Sequence, residues 1–494
     1  IEPQNFAMKR LFLASYLTLF LLSQHLPAQF GTGVILNDSS YQKLPAQPDY
    51  GEKGGGDTIL KVDLKPFCPP VGNQGFNNTC TGWATGYAAH TIQQAIQKGW
   101  NDREILSKNA YSALFIYNQI KKGTLCEEGT YIQDAMELLR TSGNVPASDF
   151  DRGDCDAKPT GEQLLLAKQH RIKEFRRLFN VDDAPGKKIA AVRRSLADGK
   201  PVVICLKIKQ GFFRQNGSKW WLPKLDDSPP TALAHAMVVV GYDDSKGSGG
   251  AVQLMNSWGT GWGEGGFIWM SYADFADDCA YAFQFSLLEN PGEVHAYTAR
   301  IACRTVEFEP DGGVAFDEEG KVKFSDAKPR LRDGIYEFDR NWRVGDAFQL
   351  QVSGVLEELY LYAFSFDNEG KITVHFPRDA RLDERFEGKN ESAVITSSAV
   401  RLALPDAERA ILLEKPGTEF ICLLFSPTPV EDFNRRLEQL KINKLSFDQR
   451  LRQAFGKQMF AAGSVAYFPQ EIGFTVKPAA GQRIVAVVMR LKVD

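Results

Sequence analysis

An α+β chain in two parts is expected, and three observations point to it. Apolar residues keep helical spacing through much of 62–206. Strand-like runs take over from Pro201. A second strand-rich stretch follows Pro291-Gly292. In order, 80–98, 110–121, 131–141 and 187–198 space their apolar residues as helices do. Residues 201–208, 235–242, 251–257 and 266–272 read as strands. Residues 62–290 thus form a first domain with a helical half and a β half. Residues 298–494 form a β-rich second domain. There 335–338, 347–352, 359–366 and 371–376 alternate, and Asp367-Asn368-Glu369-Gly370 is a hairpin turn. Phe433, Leu437 and Leu440 then stand at helix spacing. His375 alternates with Val374 and Phe376 and is expected on the polar side of its strand.

The 494 residues carry 58 Lys and Arg against 61 Asp and Glu, for a net charge of −3. With 43% hydrophobic residues this is an ordinary globular composition, and no basic patch points to nucleic acid.

The N-terminal stretch reads as an address. Residues 1–7 precede Met8 and look like upstream translation. Lys9-Arg10 is a positive n-region, 11–23 is an apolar run too short to span a bilayer, and Leu26-Pro27-Ala28 offers a cleavage point before Gln29. Residues 1–28 are therefore read as upstream residues and a signal peptide, which implies a periplasmic or extracellular protein. No later run is long and apolar enough to cross a membrane. Residues 29–61 form a short polar pro-segment or linker, with Gly54-Gly55-Gly56 as a break.

The chemistry is concentrated in three segments. Gln74-Gly75-Phe76-Asn77-Asn78-Thr79-Cys80 opens a helix. Ala234-His235-Ala236 opens an apolar strand. Asn256-Ser257-Trp258-Gly259-Thr260-Gly261-Trp262-Gly263 follows. A Cys at a helix N-terminus meets the positive end of the macrodipole, which favours thiolate, and Asn78 and Thr79 are the expected caps. An imidazole within reach completes the activation and returns the proton to the leaving group. An Asn fixes the ring tautomer, and a Gln amide with the Cys backbone N–H can hold an oxyanion. The order Gln, Cys, His, Asn and the Asn-Ser-Trp-Gly-Thr-Gly-Trp-Gly run resemble papain-type cysteine peptidases of bacterial type. The resemblance covers residues 62–290.

It implies a two-subdomain catalytic domain with Cys80 as nucleophile, His235 as base, Asn256 as its orienter and Gln74 in the oxyanion hole. It places Gly129 and Trp258 against a polypeptide substrate and joins Cys126 to Cys155. It needs no cofactor or metal. Thr130 stands where a second Gly is expected, and the long helical pro-region of the family has no room here, so latency would need a short segment or another device. Trp342-Arg343-Val344-Gly345-Asp346 and Pro416-Gly417-Thr418-Glu419-Phe420 resemble a bacterial β-rich domain of unknown function found attached to peptidases.

Two alignments compete. Matching Trp83 to the Trp beside the family nucleophile puts Gly82 in its place, which leaves an inactive peptide-binding fold. Keeping the Gln74-to-Cys80 interval makes Cys80 the nucleophile; this is preferred, because both groups must reach one carbonyl oxygen. A transacylase or amidase using the same acyl-enzyme is the remaining alternative. Each residue also has a bland reading. A lone Cys is usually buried and inert. His90 lies ten residues past Cys80 on the same helix and reads as a packing residue. Gly261-Trp262-Gly263-Glu264-Gly265-Gly266 fits a dinucleotide fingerprint, but a strand follows where a helix is required. Of the eight Cys, Cys205 lies in an apolar strand and is expected to be free, and elimination leaves Cys68 and Cys279 as a pair.

Overall fold

The computed structural model describes residues 30–50, 59–150, 154–228, 230–288, 296–318, 320–356, 358–396, 401–441, 445–461, 463–479 and 481–494. The signal-peptide reading of 1–28, the Gly54–Gly56 break and the Pro291-Gly292 boundary lie outside the described residues. No helix among those described is long and apolar enough to cross a membrane.

The first core joins a helical layer to an eight-stranded sheet. Its strands are β1 (Lys61–Asp63), β2 (Ile172–Arg177), β3 (Val202–Lys209), β4 (Trp220–Trp221), β5 (Pro230–Asp243), β6 (Ala251–Met255), β7 (Phe267–Ser271) and β8 (Cys279–Leu287). They run in the order β2-β8-β3-β5-β6-β7-β4, with β1 also on β5. The strands β3, β6 and β8 are buried along nearly their whole length, as expected where both faces of a sheet are covered. The helix carrying Cys80 has three segments, Cys80–Gly82, Trp83–Ala89 with π-type bonding, and His90–Lys98. It ends where Gly99 adopts φ 68°, a left-handed cap that Gly takes without strain. Gly82 is buried against the neighbouring helix Ala113–Ile120, and a Cβ there would lie 2.2 Å from the Ala113 carbonyl oxygen. Helix-to-helix contact therefore accounts for this Gly.

The second core is two β-sheets packed face to face. One runs Leu402–Leu404, Ala347–Ser353, Tyr297–Val306, Ile472–Val476 and Ala466–Tyr467. The other runs Pro329–Arg332, Ile335–Phe338, Val485–Val493, Gly417–Ser426, Leu359–Phe366 and Ile372–Phe376. The hairpin at 367–370 forms as expected, with Gly370 at φ 86°. Helices Phe433–Lys441 and Phe447–Phe455 cover the outer face of the second sheet. His375 corrects its reading: it is buried, not on a polar face. The Asp383–Phe386 turn lies beside it, and Arg385 donates to the Val374 carbonyl. Burial pushes its imidazole down to about 4.

The two cores meet through charged groups. Arg176 on β2 pairs with Glu174 at 3.0 Å and faces Glu358 of the second domain at 3.9 Å. Lys200 also pairs with Glu358, the Ser286 hydroxyl donates to Glu358 at 2.8 Å, and the Tyr360 hydroxyl donates to Glu174 at 2.9 Å. Cys126 and Cys155 form a disulfide with Cα atoms 5.7 Å apart. Cys68 and Cys279 are free, so the pairing by elimination fails. Cys279 is buried in β8 beside β3, where it packs as a small apolar group. Cys205 is free and buried, as read.

Candidate active site

Gln74, Cys80, His235 and Asn256 come together between the helical layer and the sheet. All are buried. Cys80 opens its helix, but neither expected cap acts as one. Thr79 makes no side-chain cap bond. The Asn78 side-chain Oδ1 instead accepts from Thr32 N–H at 2.9 Å, and its Nδ2 donates to the Glu127 carbonyl at 2.6 Å. His235 stands in the middle of β5, and Asn256 follows the end of β6. His235 Nε2 bonds Asn256 Oδ1 at 2.7 Å. Because that oxygen can only accept, Nε2 carries the proton and Nδ1 is left as the basic nitrogen. His235 Nδ1 is buried without a hydrogen-bond partner among the described residues. Burial holds this imidazole down at about 4, against a small opposing effect from Asn256.

Trp258 roofs the pair. Its ring stacks on His235 with centroids 4.4 Å apart, and Phe213 stacks on it at 5.2 Å. This apolar cover keeps water from competing for the His–Asn bond. The Ser257 hydroxyl donates to Gln74 Oε1 at 2.6 Å. That bond sets the amide flip, so Gln74 Nε2 is turned away as a donor. Ser257 also receives the Gln74 backbone N–H on its carbonyl at 2.8 Å, and its own N–H donates to Asn256 Oδ1 at 2.8 Å. One residue thus ties the Gln side of the site to the Asn side. Sequence reading missed Ser257, although it stands inside the Asn256 run.

The cleft is filled by the chain's own residues 30–35. Phe30 stacks on Trp258 at 4.9 Å. The Gly31 carbonyl accepts from Gln74 Nε2 at 2.9 Å and from Trp258 Nε1 at 3.3 Å. The Gly33 N–H donates to Cys80 Sγ at 3.2 Å. Thr130 N–H donates to the Gly33 carbonyl at 2.7 Å, and Ile35 N–H donates to the Thr130 carbonyl at 2.9 Å, a parallel pairing. The Ile35 side chain lies against Gly129, where a Cβ would come within 2.7 Å of it. Burial raises the Cys80 thiol pKa, against backbone N–H groups of Ala236, Gly33 and Thr81 that favour thiolate. The strap lies within the short polar segment 29–61 that precedes the catalytic domain. Gly129 and Thr130 are its edge partners, so the missing second Gly does not prevent backbone pairing.

His90 stands apart, stacked on Tyr111 at 4.0 Å, as a packing residue. Trp83 packs over Gly72 and edge-on to Tyr87. It is therefore a helix-face residue and no guide to the nucleophile.

Residues 68–286 match the family model described as papain family cysteine protease. The chain carries a papain-family cysteine peptidase domain. An uncharacterized peptidase C1-like protein of Acanthamoeba polyphaga mimivirus is 24% identical to this peptidase over 229 residues, 44% of this chain and 70% of that protein. Among solved structures, xylellain, a cysteine protease from Xylella fastidiosa, is 23% identical with a TM-score of 0.43, over 54% of this chain and 99% of its own. A digestive procathepsin L from the Tenebrio molitor larval midgut is 18% identical with a TM-score of 0.40, over 53% of this chain and 77% of its own. The peptidase has a polypeptide as its substrate class, and its second domain lies outside the family match.

Proposed function

We propose that the chain is an exported peptidase that cleaves peptide bonds through a Cys80 acyl-enzyme, held here in a self-occluded form. The observation that carries the reading is the His235 ring. Its Nε2 is bound to Asn256 and its Nδ1 is buried, unprotonated and without a partner among the described residues, and the backbone N–H of the next residue, Ala236, is among the groups that favour the Cys80 thiolate.

With the strap displaced, Cys80 gives its proton to His235 Nδ1 and attacks the scissile carbonyl. The oxyanion is received by Gln74 Nε2 and the Cys80 N–H. As the tetrahedral adduct collapses, His235 returns the proton to the leaving amine, and water then hydrolyses the thioester by the same route in reverse. Asn256 holds the ring plane throughout, and Ser257 holds the Gln74 amide. Gly82 cannot be a vacated nucleophile position, because it faces the helix Ala113–Ile120. A transacylase would share every step up to deacylation. Product analysis with a peptide and an added amine separates the two, and hydrolysis product alone supports the peptidase.

Export rests on residues 8–28 of the sequence and agrees with a Cys126–Cys155 disulfide, a bond that persists in oxidising compartments. N-terminal sequencing of secreted protein should read from Gln29 or close to it. A Met8 start on exported protein would contradict the export reading.

A further inference from the structure

Residues 30–35 make the strap, but residues 38–50 make something more permanent. The helix Asp38–Gln42 drives Tyr41 into the catalytic core, where it is 0% exposed. The Tyr41 hydroxyl donates to the Phe179 carbonyl at 2.9 Å and receives the Ala282 N–H at 3.1 Å, and its ring stacks on Tyr281 at 4.3 Å. Beyond it the chain becomes a strand shared by both domains. On one side Arg177 N–H donates to the Pro45 carbonyl at 2.9 Å, and Gln47 N–H to the Arg177 carbonyl at 2.8 Å. On the other, Ala46 N–H donates to the Asn390 carbonyl at 2.7 Å, and Ser392 N–H to the Ala46 carbonyl at 2.8 Å. Tyr50 ends the run inside the core of the second domain. Leaving would strip both domains of buried residues.

The strap itself is seated on glycines. A Cβ at Gly33 would lie 2.1 Å from the Asn78 carbonyl oxygen, and one at Gly31 2.0 Å from that of Asn77. Its register is also wrong for attack. The carbonyl at Gln74 belongs to Gly31, whereas the atom held at the sulfur is the N–H of Gly33. In a productive complex one carbonyl group would serve both positions. Between strap and anchor lies Leu36, 38% exposed, and then Asn37, which caps the helix by accepting from Ser40 N–H at 3.0 Å.

We infer that residues 30–36 are a resident lid. It swings open about Leu36-Asn37 and stays on the active enzyme, while 38–50 is a fixed anchor clamped by the second domain. Opening breaks the strap's own hydrogen bonds and leaves those of the anchor intact, and substrate competes for the edge of Thr130. The second domain thereby acquires a role: it keeps the lid's root in place. The inference rests on the reading of the cleft as a peptidase site, but its test does not depend on turnover.

The test is the rate at which iodoacetamide alkylates Cys80 in the full chain, read by peptide mapping and intact mass. Gly33→Ala removes the seat while sparing the anchor, and Phe30→Ala removes the stack on Trp258. Both should alkylate faster than wild type, Gly33→Ala by about tenfold or more, since a closed state lowers the apparent rate by the fraction of time spent shut. The alkylated wild-type protein should still carry residues 37–50. Equal rates in all three proteins would overturn the lid. So would wild-type alkylation confined to chains that have lost residues 38–50, which would make the segment a shed pro-peptide. If alkylation accelerates yet no variant hydrolyses peptide, the lid stands and the peptidase reading fails.

Discussion

The two domains bury polar groups with different outcomes. In the first, Gln74, Cys80, His235 and Asn256 converge on one cleft, and His235 Nδ1 and Asn256 Nδ2 are left without hydrogen-bond partners among the described residues. In the second, His375 Nε2 and Trp342 Nε1, without partners among the described residues, belong to separate places, an edge strand of one sheet and a loop against the sandwich core. Its buried charges are closed on themselves: Arg378 is held by Glu391 at 2.8 Å and Asp406 at 3.1 Å. A buried polar group signals chemistry when it converges with others at a cleft and its partner set is left incomplete. Taken singly, it signals packing.

The comparison breaks most directly at the cysteines. Cys80→Ala should abolish peptide hydrolysis in a turnover assay. Cys422→Ala, equally buried but inside the second domain, should leave turnover unchanged. Activity lost in both would mean that the second domain takes part in the chemistry.

A second break point is the junction. Glu358→Ala should leave Lys200 without this carboxylate and Arg176 with Glu174 alone, at a cost of about 3–5 kcal/mol in denaturant unfolding. Burial alone would raise the Glu358 carboxyl, but Lys200 and Arg176 hold it down at about 2. A carboxylate depressed in the folded state stabilises above its unfolded pKa, near 4.3. That stability should fade as pH drops from there toward 2. Glu174 acts in the opposite sense, since burial raises its pKa. The slope measured for wild type minus Glu358→Ala isolates the first effect.

Within the site, Gln74→Ala should lower kcat by roughly 10²–10³ with little change in KM, because its donor acts on charge that develops in the transition state. Ser257→Ala should show the same kcat signature with a smaller loss, since it only orients Gln74. A KM effect instead would place Ser257 in substrate binding. The smallest effect expected on chemistry is from the disulfide. Cys126→Ala with Cys155→Ala opens a loop of sequence separation 29 and should cost roughly 3–4 kcal/mol of stability by the chain-entropy model. Turnover by the folded fraction should persist.

Much of the catalytic domain was legible because its signals are local. The helices near 80–98, 113–120 and 185–197 and the strands β3, β5, β6 and β7 follow apolar periodicity, and Gln74, Cys80, His235 and Asn256 stand in short motifs. What was not legible depends on distant partners. β2 and β8 are edge and near-edge strands whose pairing lies more than a hundred residues apart in sequence. The strap is six residues of small and apolar type without periodicity, and only its seat on Asn77, Asn78 and Thr130 gives it meaning. The cap at Asn78 fails for the same reason: a long-range partner, Thr32, takes the side chain. All four candidate groups precede residue 290, and the contacts that tie that half to the second domain, the Arg176–Glu358–Lys200 cluster and the bridges at Ala46, join residues far apart in sequence.

The most direct test of the central claim is to locate a covalent adduct. A peptidyl epoxide is incubated with wild type and with His235→Ala, and each protein is digested and mapped by mass spectrometry. The account predicts one added mass, on Cys80, with labelling strongly slowed in His235→Ala, because that ring activates the thiol. An adduct on another cysteine, or equal labelling of both proteins, would contradict it.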